Sequence, residues 1–200
     1  MEETAQFDIN FKNLDGRLIT ALEKIGEIFR VMLWDVAKET GLSPIQIQIL
    51  IFLRNHHEPL RRVAHLAREF NLTKATISDA VRVLEEKHLI IKLPDPNDAR
   101  SQILKLTITG VNISKELNHF SDPLQSVLGK MEESTKADLY STTIKLLNQL
   151  AQDKVINSQR MCFTCTFFDN HGVGGYCNYL NKDLTHGEVK VDCPVYTPAA

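Results

Sequence analysis

The chain has 200 residues, of which 43% are hydrophobic and 24% are charged, and its formal net charge is −2. These values are typical of a soluble protein with one core, or with a domain and a small appendage. No run of about 18 apolar residues occurs, so we expect no transmembrane helix and no membrane partner. The first ten residues are acidic and polar, unlike a secretory signal or presequence, which predicts a cytoplasmic protein.

The middle of the chain is its basic part. Residues 54–105 hold ten Lys and Arg against seven Asp and Glu, whereas residues 1–53 hold five against eight and residues 106–200 hold eight against ten. Phosphate binding depends on where such charges point rather than on their sum. The net charge therefore does not indicate nucleic-acid binding, and the middle segment is where such binding would occur.

The first long segment, residues 14–41, predicts an amphipathic helix. Its apolar residues recur every three or four positions and form one stripe: Leu14, Leu18, Leu22, Ile25, Phe29, Met32 and Val36. Gly41 is suited to end this helix. A stripe of this length needs a partner of similar length, supplied either by the C-terminal helices or by a second subunit.

Three short helices are predicted next. Ser43 and Gln46 form a capping-box pattern, so a helix should begin at about residue 44. A second helix should end near Asn71, which tolerates the left-handed conformation, and Thr73 should cap the third. Short helices joined by tight turns predict a helix-turn-helix.

The apolar period changes at residue 89. Two β-like runs, 89–93 and 102–108, surround a turn rich in Pro, Asp and Asn, and such a hairpin makes the unit a winged helix. Helix resumes at Thr109 and is interrupted by Pro123, which cannot sit in a helix interior. The last helix is predicted over about 134–155.

A pattern in the wing region is the most specific in the chain. It reads D-x-R…L-T-x-x-G and is formed by Asp98, Ala99, Arg100, Leu106, Thr107 and Gly110. With the preceding helix, it resembles the recognition helix and wing of MarR-type (multiple antibiotic resistance) regulators, and the resemblance covers about residues 10–155. It implies a mainly α fold with a small β wing.

The resemblance also implies a domain organisation and a function. Residues 41–108 would form the winged helix-turn-helix DNA-binding domain, and residues 10–40 and 109–156 a helical dimerisation domain. The protein would be a homodimeric transcription regulator of double-stranded operator DNA and not an enzyme. Family members often bind small aromatic effectors between these two parts, although no residue in this sequence identifies such a ligand.

The third short helix is expected to enter the major groove. Its first turns carry short polar side chains behind an N-cap threonine, which suits base recognition. Its candidate DNA-binding residues are Thr73, Lys74, Thr76, Ser78, Asp79 and Arg82. The two cations of this set would hold phosphates, and the serine, the aspartate and the second threonine would reach base edges. Asp79 departs from the family, where this position is more often basic or neutral.

Four further candidate residues flank this helix. Arg61 and Arg62 begin the preceding helix and are placed for the DNA backbone. Arg100 in the wing is the candidate for minor-groove insertion, oriented by Asp98. His88 stands where a glycine helix C-cap is commoner in the family, which is a small structural cost.

Residues 157–200 form a cysteine-rich module that typical family members lack. It contains all four cysteines of the chain, namely Cys162, Cys165, Cys177 and Cys193. In a reducing cytosol such clustered cysteines predict metal ligands rather than disulfides, and a short polar segment has too little core to bury four free thiols. His171 and His186 are alternative ligands, although a solvated loop position is commoner for each.

The metal is either zinc or an iron–sulfur cluster. Four thiolates suit both. The second C-x2-C pair of most zinc ribbons is missing, and an apolar shell would protect a cluster, which slightly favours iron–sulfur. The aromatic residues of this shell are Phe163, Phe167, Phe168, Tyr176, Tyr179 and Tyr196.

Three functions are compatible with the module. It senses redox or metal state for the regulator, it is a structural staple in a regulator with a small-molecule effector, or C-x2-C is a thiol or electron-transfer site. The third interpretation is weak because no βαβ pattern surrounds Cys162. Since the module follows the last dimer helix, we expect it to lie away from DNA and to act only through the geometry of the dimer.

Overall fold

A long helix, a helix-turn-helix with a two-stranded wing, further helices and a small sheet follow one another along the chain. The computed structural model describes residues 13–96, 98–157, 160–172 and 174–199, so the acidic segment 1–12 with the first residues of the predicted dimerisation part lies outside it. The helices are α1 (Leu14–Thr40), α2 (Pro44–Asn55), α3 (Val63–Glu69), α4 (Lys74–Glu86), α5 (Ile108–Leu117), α6 (Asp122–Leu128) and α7 (Glu133–Gln152). The strands are β1 (Ile90–Asp95), β2 (Asp98–Leu106), β3 (Phe168–Asp169), β4 (Tyr176–Cys177) and β5 (Lys182–Asp183).

The helix ends around α2 and α4 lie where the sequence predicts them, whereas α3 begins at Val63 and not at Arg61, and α7 ends at Gln152 and not near residue 155. Ser43 and Gln46 form the predicted capping box of α2, with the Ser43 N–H donating to Gln46 Oε1 at 2.9 Å. Gly41 ends α1 at φ 64°, and Asn71 ends the turn after α3 at φ 52°. Thr73 caps α4. Local side-chain to backbone hydrogen bonds therefore fix the turns that set the angles between these helices.

The main core lies inside the winged helix and is formed by α2, α3, α4, the wing and α5. Its largest fully buried side chains are Ile47, Ile49, Leu50, Leu53, Leu66, Ile77, Val81, Leu84, Ile90, Leu104 and Leu117. Burial of a side chain of this size contributes about 1.5–3 kcal/mol. The helix-turn-helix is therefore a rigid base for the outer face of α4.

The wing is longer than predicted. Its strands β1 and β2 pair antiparallel from Ile90 opposite Leu106 to Asp95 opposite Asp98. The predicted second strand, 102–108, was wrong at both ends, because β2 begins at Asp98 and ends at Leu106. Thr107 is instead the N-cap of α5, because its side chain accepts a hydrogen bond from the Gly110 N–H.

The apolar stripe of α1 is largely uncovered within the chain. Of this helix, Leu33 and Ala37 near its C-terminal end are buried. Leu18 and Leu22 remain 51% and 52% exposed. The C-terminal helices therefore do not supply the partner that the stripe needs.

The cysteine-rich module packs against two other parts of the chain. Its strands form a sheet in the order β3-β4-β5. Cys162, Leu184 and Val189 bury a small second core against Ile144 of α7, and Tyr140 Oη of α7 donates to the Val189 carbonyl at 2.7 Å. Other module residues contact α2 and α3. The module therefore contacts the winged helix-turn-helix as well as α7, and its position relative to DNA stays a prediction.

Candidate DNA-binding surface and cysteine cluster

The outer face of α4 presents the predicted polar side chains to solvent. Thr73, Lys74, Thr76, Ser78, Asp79 and Arg82 are all exposed, whereas the opposite face is buried in the core. Thr73 Oγ1 accepts a hydrogen bond from the Thr76 N–H at 3.1 Å and lies 2.8 Å from Thr76 Oγ1. The cap therefore engages both hydroxyls at the helix start, while Lys74 and Ser78 project freely.

Arg82 is held by two carboxylates on its own helix. Its guanidinium lies 3.6 Å from Asp79 Oδ1 and donates to Glu86 Oε1 at 3.1 Å. Both pairs are solvent-exposed and are therefore weak. A phosphate could replace them, and the unusual Asp79 would then serve to orient Arg82.

Arg61 and Arg62 are held by protein atoms. Arg61 Nε donates to the His56 carbonyl at 2.7 Å, and the Arg61 carbonyl accepts from the Leu104 N–H of β2 at 2.8 Å. Arg62 Nη2 lies 2.5 Å from Oδ2 of Asp95, whose side chain is 1% exposed. These two arginines fasten the wing to the helix-turn-helix, which the sequence did not indicate.

The wing tip presents Arg100. Its side chain is exposed, and its backbone N–H donates to Asp98 Oδ1 at 3.0 Å. Asp98 therefore orders the backbone of the turn, not the guanidinium itself. Of the predicted DNA-binding cations, Arg100 and Lys74 form no ion pair with the described residues, so these two are the most available of that set to a phosphate.

The four cysteines converge on one small cavity. They line a space of about 20 Å³ together with Phe167, Phe168, Tyr179 and Val195. All four are free thiols. Cys162 is the first residue of a 3-10 turn, Cys162–Thr164, Cys165 directly follows this turn, and Cys177 lies on β4. Half of the predicted aromatic shell thus lines the cavity.

Cys162 is the buried member of the cluster. Its Sγ accepts a hydrogen bond from the Lys190 N–H at 3.2 Å. Burial raises the pKa of the Cys162 thiol, and negative charge on Cys193, Cys177 and Cys165 raises it further. As arranged, the described residues contain no group of three or more His, Cys, Asp or Glu side chains that could hold a metal ion.

A buried arginine joins the cysteine-rich module to the DNA-binding domain. Arg160 is 8% exposed and pairs with Glu69 of α3 and with Asp192 of the module. His56 and His65 complete this group, which we call the Arg160 cluster. No sequence pattern predicts this cluster, because its members are up to 136 residues apart in sequence.

The fold matches known winged-helix proteins. A model of the MarR family matches residues 40–101. MepR of S. aureus in its DNA-binding conformation has 20% identity and a TM-score of 0.60, over 66% of this chain and 98% of that chain. MepR in complex with DNA has 20% identity and a TM-score of 0.58, over 66% of this chain and 96% of that chain.

A regulator from an archaeal source has the same fold. The transcriptional regulator BldR from Sulfolobus solfataricus has 22% identity and a TM-score of 0.54, over 68% of this chain and 99% of that chain. These likenesses support a MarR-type winged-helix fold. No curated protein sequence matches the chain. No helix among the described residues is long and apolar enough to cross a membrane.

Proposed function

We propose that the protein is a MarR-type transcription regulator that binds double-stranded operator DNA. The observation that carries this proposal is the outer face of α4, where a capped helix on a rigid core exposes a continuous row of polar side chains. A helix of this kind enters the major groove, and the wing carries Arg100 to the adjacent backbone or minor groove. The structures of MepR with DNA belong to the same fold.

We also propose that the regulator works as a homodimer. The exposed stripe of α1 is too extended for a monomer surface and needs an apolar partner. Leu139 and Leu146 of α7 are likewise exposed. Two copies pairing through α1 and α7 would cover these side chains and would present two α4 helices to successive major grooves.

DNA binding is tested by removing its two most available cations. Lys74→Ala and Arg100→Ala should each weaken binding to a duplex selected from a random pool, and each should lower the slope of log affinity against log salt by about 1 because one phosphate contact is lost. Lys130→Ala is the matched control, since this exposed lysine lies outside the surface. Unchanged affinity in both variants would refute the assignment.

For the cysteines we propose a thiophilic metal centre, either a zinc ion or an iron–sulfur cluster. Its support is the convergence of four thiols on one cavity and the N–H···S bond from Lys190, a contact typical of metal-bound thiolates. The cavity between the four thiols, of about 20 Å³, is where either group would be held. Binding would draw the four thiols together around it.

Metal analysis and visible absorbance of anaerobically purified protein test this centre. One zinc per chain without a visible band identifies zinc, and iron with sulfide and a visible band identifies a cluster. Protein that contains neither, and that does not take up zinc on titration, refutes the metal centre. Cys177→Ser is expected to lose the metal in either case.

A second candidate function adds a small-molecule effector to the same regulator. A cavity of about 640 Å³ lies between α1, the start of the wing and α5, which is the size of a drug-like ligand site. Its walls include Val36, Leu42 and Phe120, with Lys87 and Glu116 as polar groups. An amphipathic aromatic compound that binds here and shifts DNA affinity would support this function.

A further inference from the structure

Two segments of the cysteine-rich module are joined beside the thiols. Arg160 precedes Cys162 by two residues, and Asp192 directly precedes Cys193. The Cys193 N–H donates to the Arg160 carbonyl at 3.0 Å. A change in how these cysteines are held must therefore move Arg160 and Asp192.

The Arg160 guanidinium connects these segments to the DNA-binding domain. On the module side, its Nη2 and Nε lie 2.6 Å and 3.0 Å from Asp192 Oδ1. On the other side, its Nη1 and Nη2 lie 2.9 Å and 3.3 Å from the two carboxylate oxygens of Glu69. This paired geometry, in a nearly buried place, holds the two parts in one orientation.

Aromatic rings extend the contact to α2. Arg160 Nη1 lies 2.8 Å from His65 Nε2, and the guanidinium stands over the Phe52 ring at 5.2 Å. His56 stacks on Phe52 with ring centroids 3.8 Å apart, and its Nε2 lies 2.6 Å from Asp192 Oδ2. The Arg160 cluster thus fixes the C-terminal end of α2 as well as α3.

This contact lies directly before the recognition helix. Glu69 is the last residue of α3, and α4 begins at Lys74. Asn157 reaches the intervening turn, where its Nδ2 donates to the Arg68 carbonyl at 3.1 Å and to Asn71 Oδ1 at 2.6 Å. The segment that leads into the module therefore also contacts the turn that sets the orientation of α4.

We propose that the cysteine cluster controls DNA affinity directly, through the Arg160 cluster and α3 of the same chain. The inference rests on the proposed function. When the four cysteines are held together, which we call the closed cluster, Arg160 stays against Glu69. This contact keeps α3 and the turn after it in the DNA-binding position. When the four cysteines separate, the contact between Arg160 and Glu69 is lost. The position of α3 is then less well fixed, and α4 binds DNA more weakly.

A double-mutant cycle tests the route. Cys177→Ser opens the cluster from β4, and Glu69→Gln breaks the carboxylate contact with Arg160 without changing the size of the side chain. Each variant should weaken binding to the selected DNA duplex by at least about fivefold. The double variant should bind no more weakly than either single variant, because both remove the same coupling.

Glu133→Gln is the matched control, since Glu133 forms an exposed ion pair with Lys136 on α7. Its effect on DNA affinity should be negligible and should add to that of Cys177→Ser. Full additivity between Cys177→Ser and Glu69→Gln would overturn the proposal, because the thiols would then act by another route such as α7. Unchanged affinity in either single variant would also overturn it.

Amide hydrogen exchange in the absence of DNA separates this inference from DNA binding itself. Amides of residues 63–73 should exchange faster in Cys177→Ser and in Glu69→Gln than in the wild type, and at the wild-type rate in Glu133→Gln. Exchange in this segment that is unchanged by Cys177→Ser refutes the coupling. If exchange responds while the wild type binds no DNA, the coupling stands and the proposed function falls.

Discussion

At the scale of single residues, Thr107 and Gly110 join the wing to the C-terminal helices. Thr107 Oγ1 accepts from the Gly110 N–H at 3.0 Å and lies 2.8 Å from the carbonyl of His88. A Cβ atom at Gly110 would lie 1.9 Å from the Leu89 carbonyl oxygen. The L-T-x-x-G pattern therefore combines a helix cap with a close approach of two backbones.

Gly110→Ala is expected to destabilise the fold. The added methyl group meets backbone rather than a flexible side chain, so α5 must shift, and the free energy of unfolding should fall by about 2 kcal/mol or more. Urea unfolding measures this change. Gly187→Ala is the control, since nothing lies within 4 Å of its Cβ position. Equal stability of the two variants would contradict the close approach.

His65 should make the stability depend on pH. The pKa of His65 is lowered from 6.5 to about 4, mainly by burial and secondly by the positive charge of Arg160. Because the unfolded chain binds this proton more readily, the contribution of neutral His65 is fully present above pH 6.5 and is lost as the pH falls towards 4.

The comparison of two variants isolates this effect. His65→Gln keeps a neutral acceptor for Arg160 and cannot be protonated. Between pH 7 and pH 4.5, the wild type should therefore lose more unfolding free energy than His65→Gln, as measured by urea unfolding at both pH values. Equal losses would show that burial and the charge of Arg160 do not keep His65 neutral in the folded protein.

At the scale of elements, ion pairs attach the wing to the helix-turn-helix: Lys92 of β1 lies 2.6 Å from Glu85 of α4, and Asp95 contacts Arg62. Arg62 caps the start of α3, and Asp95 ends β1, so their contact fixes the hairpin against α3. The Leu104 N–H bond to the Arg61 carbonyl adds a backbone link at the same place. The position of the wing relative to α4 therefore depends on a buried charge.

Asp95→Asn should loosen this attachment. It leaves the half-buried Arg62 without its carboxylate, and we expect a loss of about 2 kcal/mol or more in unfolding free energy. Thermal and urea unfolding measure it. Asp35→Asn breaks the exposed pair with Lys38 and should change stability by less than about 0.5 kcal/mol. A similarly small loss for Asp95→Asn would mean that the ion pair with Arg62 contributes little to holding the wing.

Caps, turns and hydrophobic period were readable from the sequence because their causes are local. Ser43, Asn71 and Thr73 act on backbone atoms within a few residues, and these predictions are confirmed. The partners of Arg62 and Arg160 could not be read, because they depend on contacts between residues 33 and 91 positions apart. Charges at a predicted DNA surface and charges that join elements look the same in a sequence.

At the scale of the whole molecule, the cysteine-rich module packs against other parts of the chain, whereas most of the α1 stripe is exposed. The cysteine-rich module touches α2, α3 and α7 and so connects the DNA-binding part with the C-terminal helices. The α1 stripe from Leu14 to Phe29 lies outside both cores, with Leu14 at 63% exposure, whereas Val36 packs against the main core. This arrangement makes α1 the main element of the proposed dimer interface.

Replacing two stripe residues should separate the dimer. Leu18→Ser/Leu22→Ser removes apolar surface from the proposed interface, and burial contributes about 25 cal/mol for each Å² of such surface. Sedimentation equilibrium at micromolar concentration should show a dimer for the wild type and a lower mass for the double variant. DNA affinity should fall with it, since one α4 then binds without its partner.

The same helix supplies the control. Glu27 lies on the side of α1 opposite the stripe, so Glu27→Ser should leave both mass and DNA affinity unchanged. A wild type that sediments as a monomer would contradict the interface, as would a double variant that stays dimeric. If the double variant is monomeric yet binds DNA as tightly as the wild type, the dimer exists but does not present the two recognition helices together.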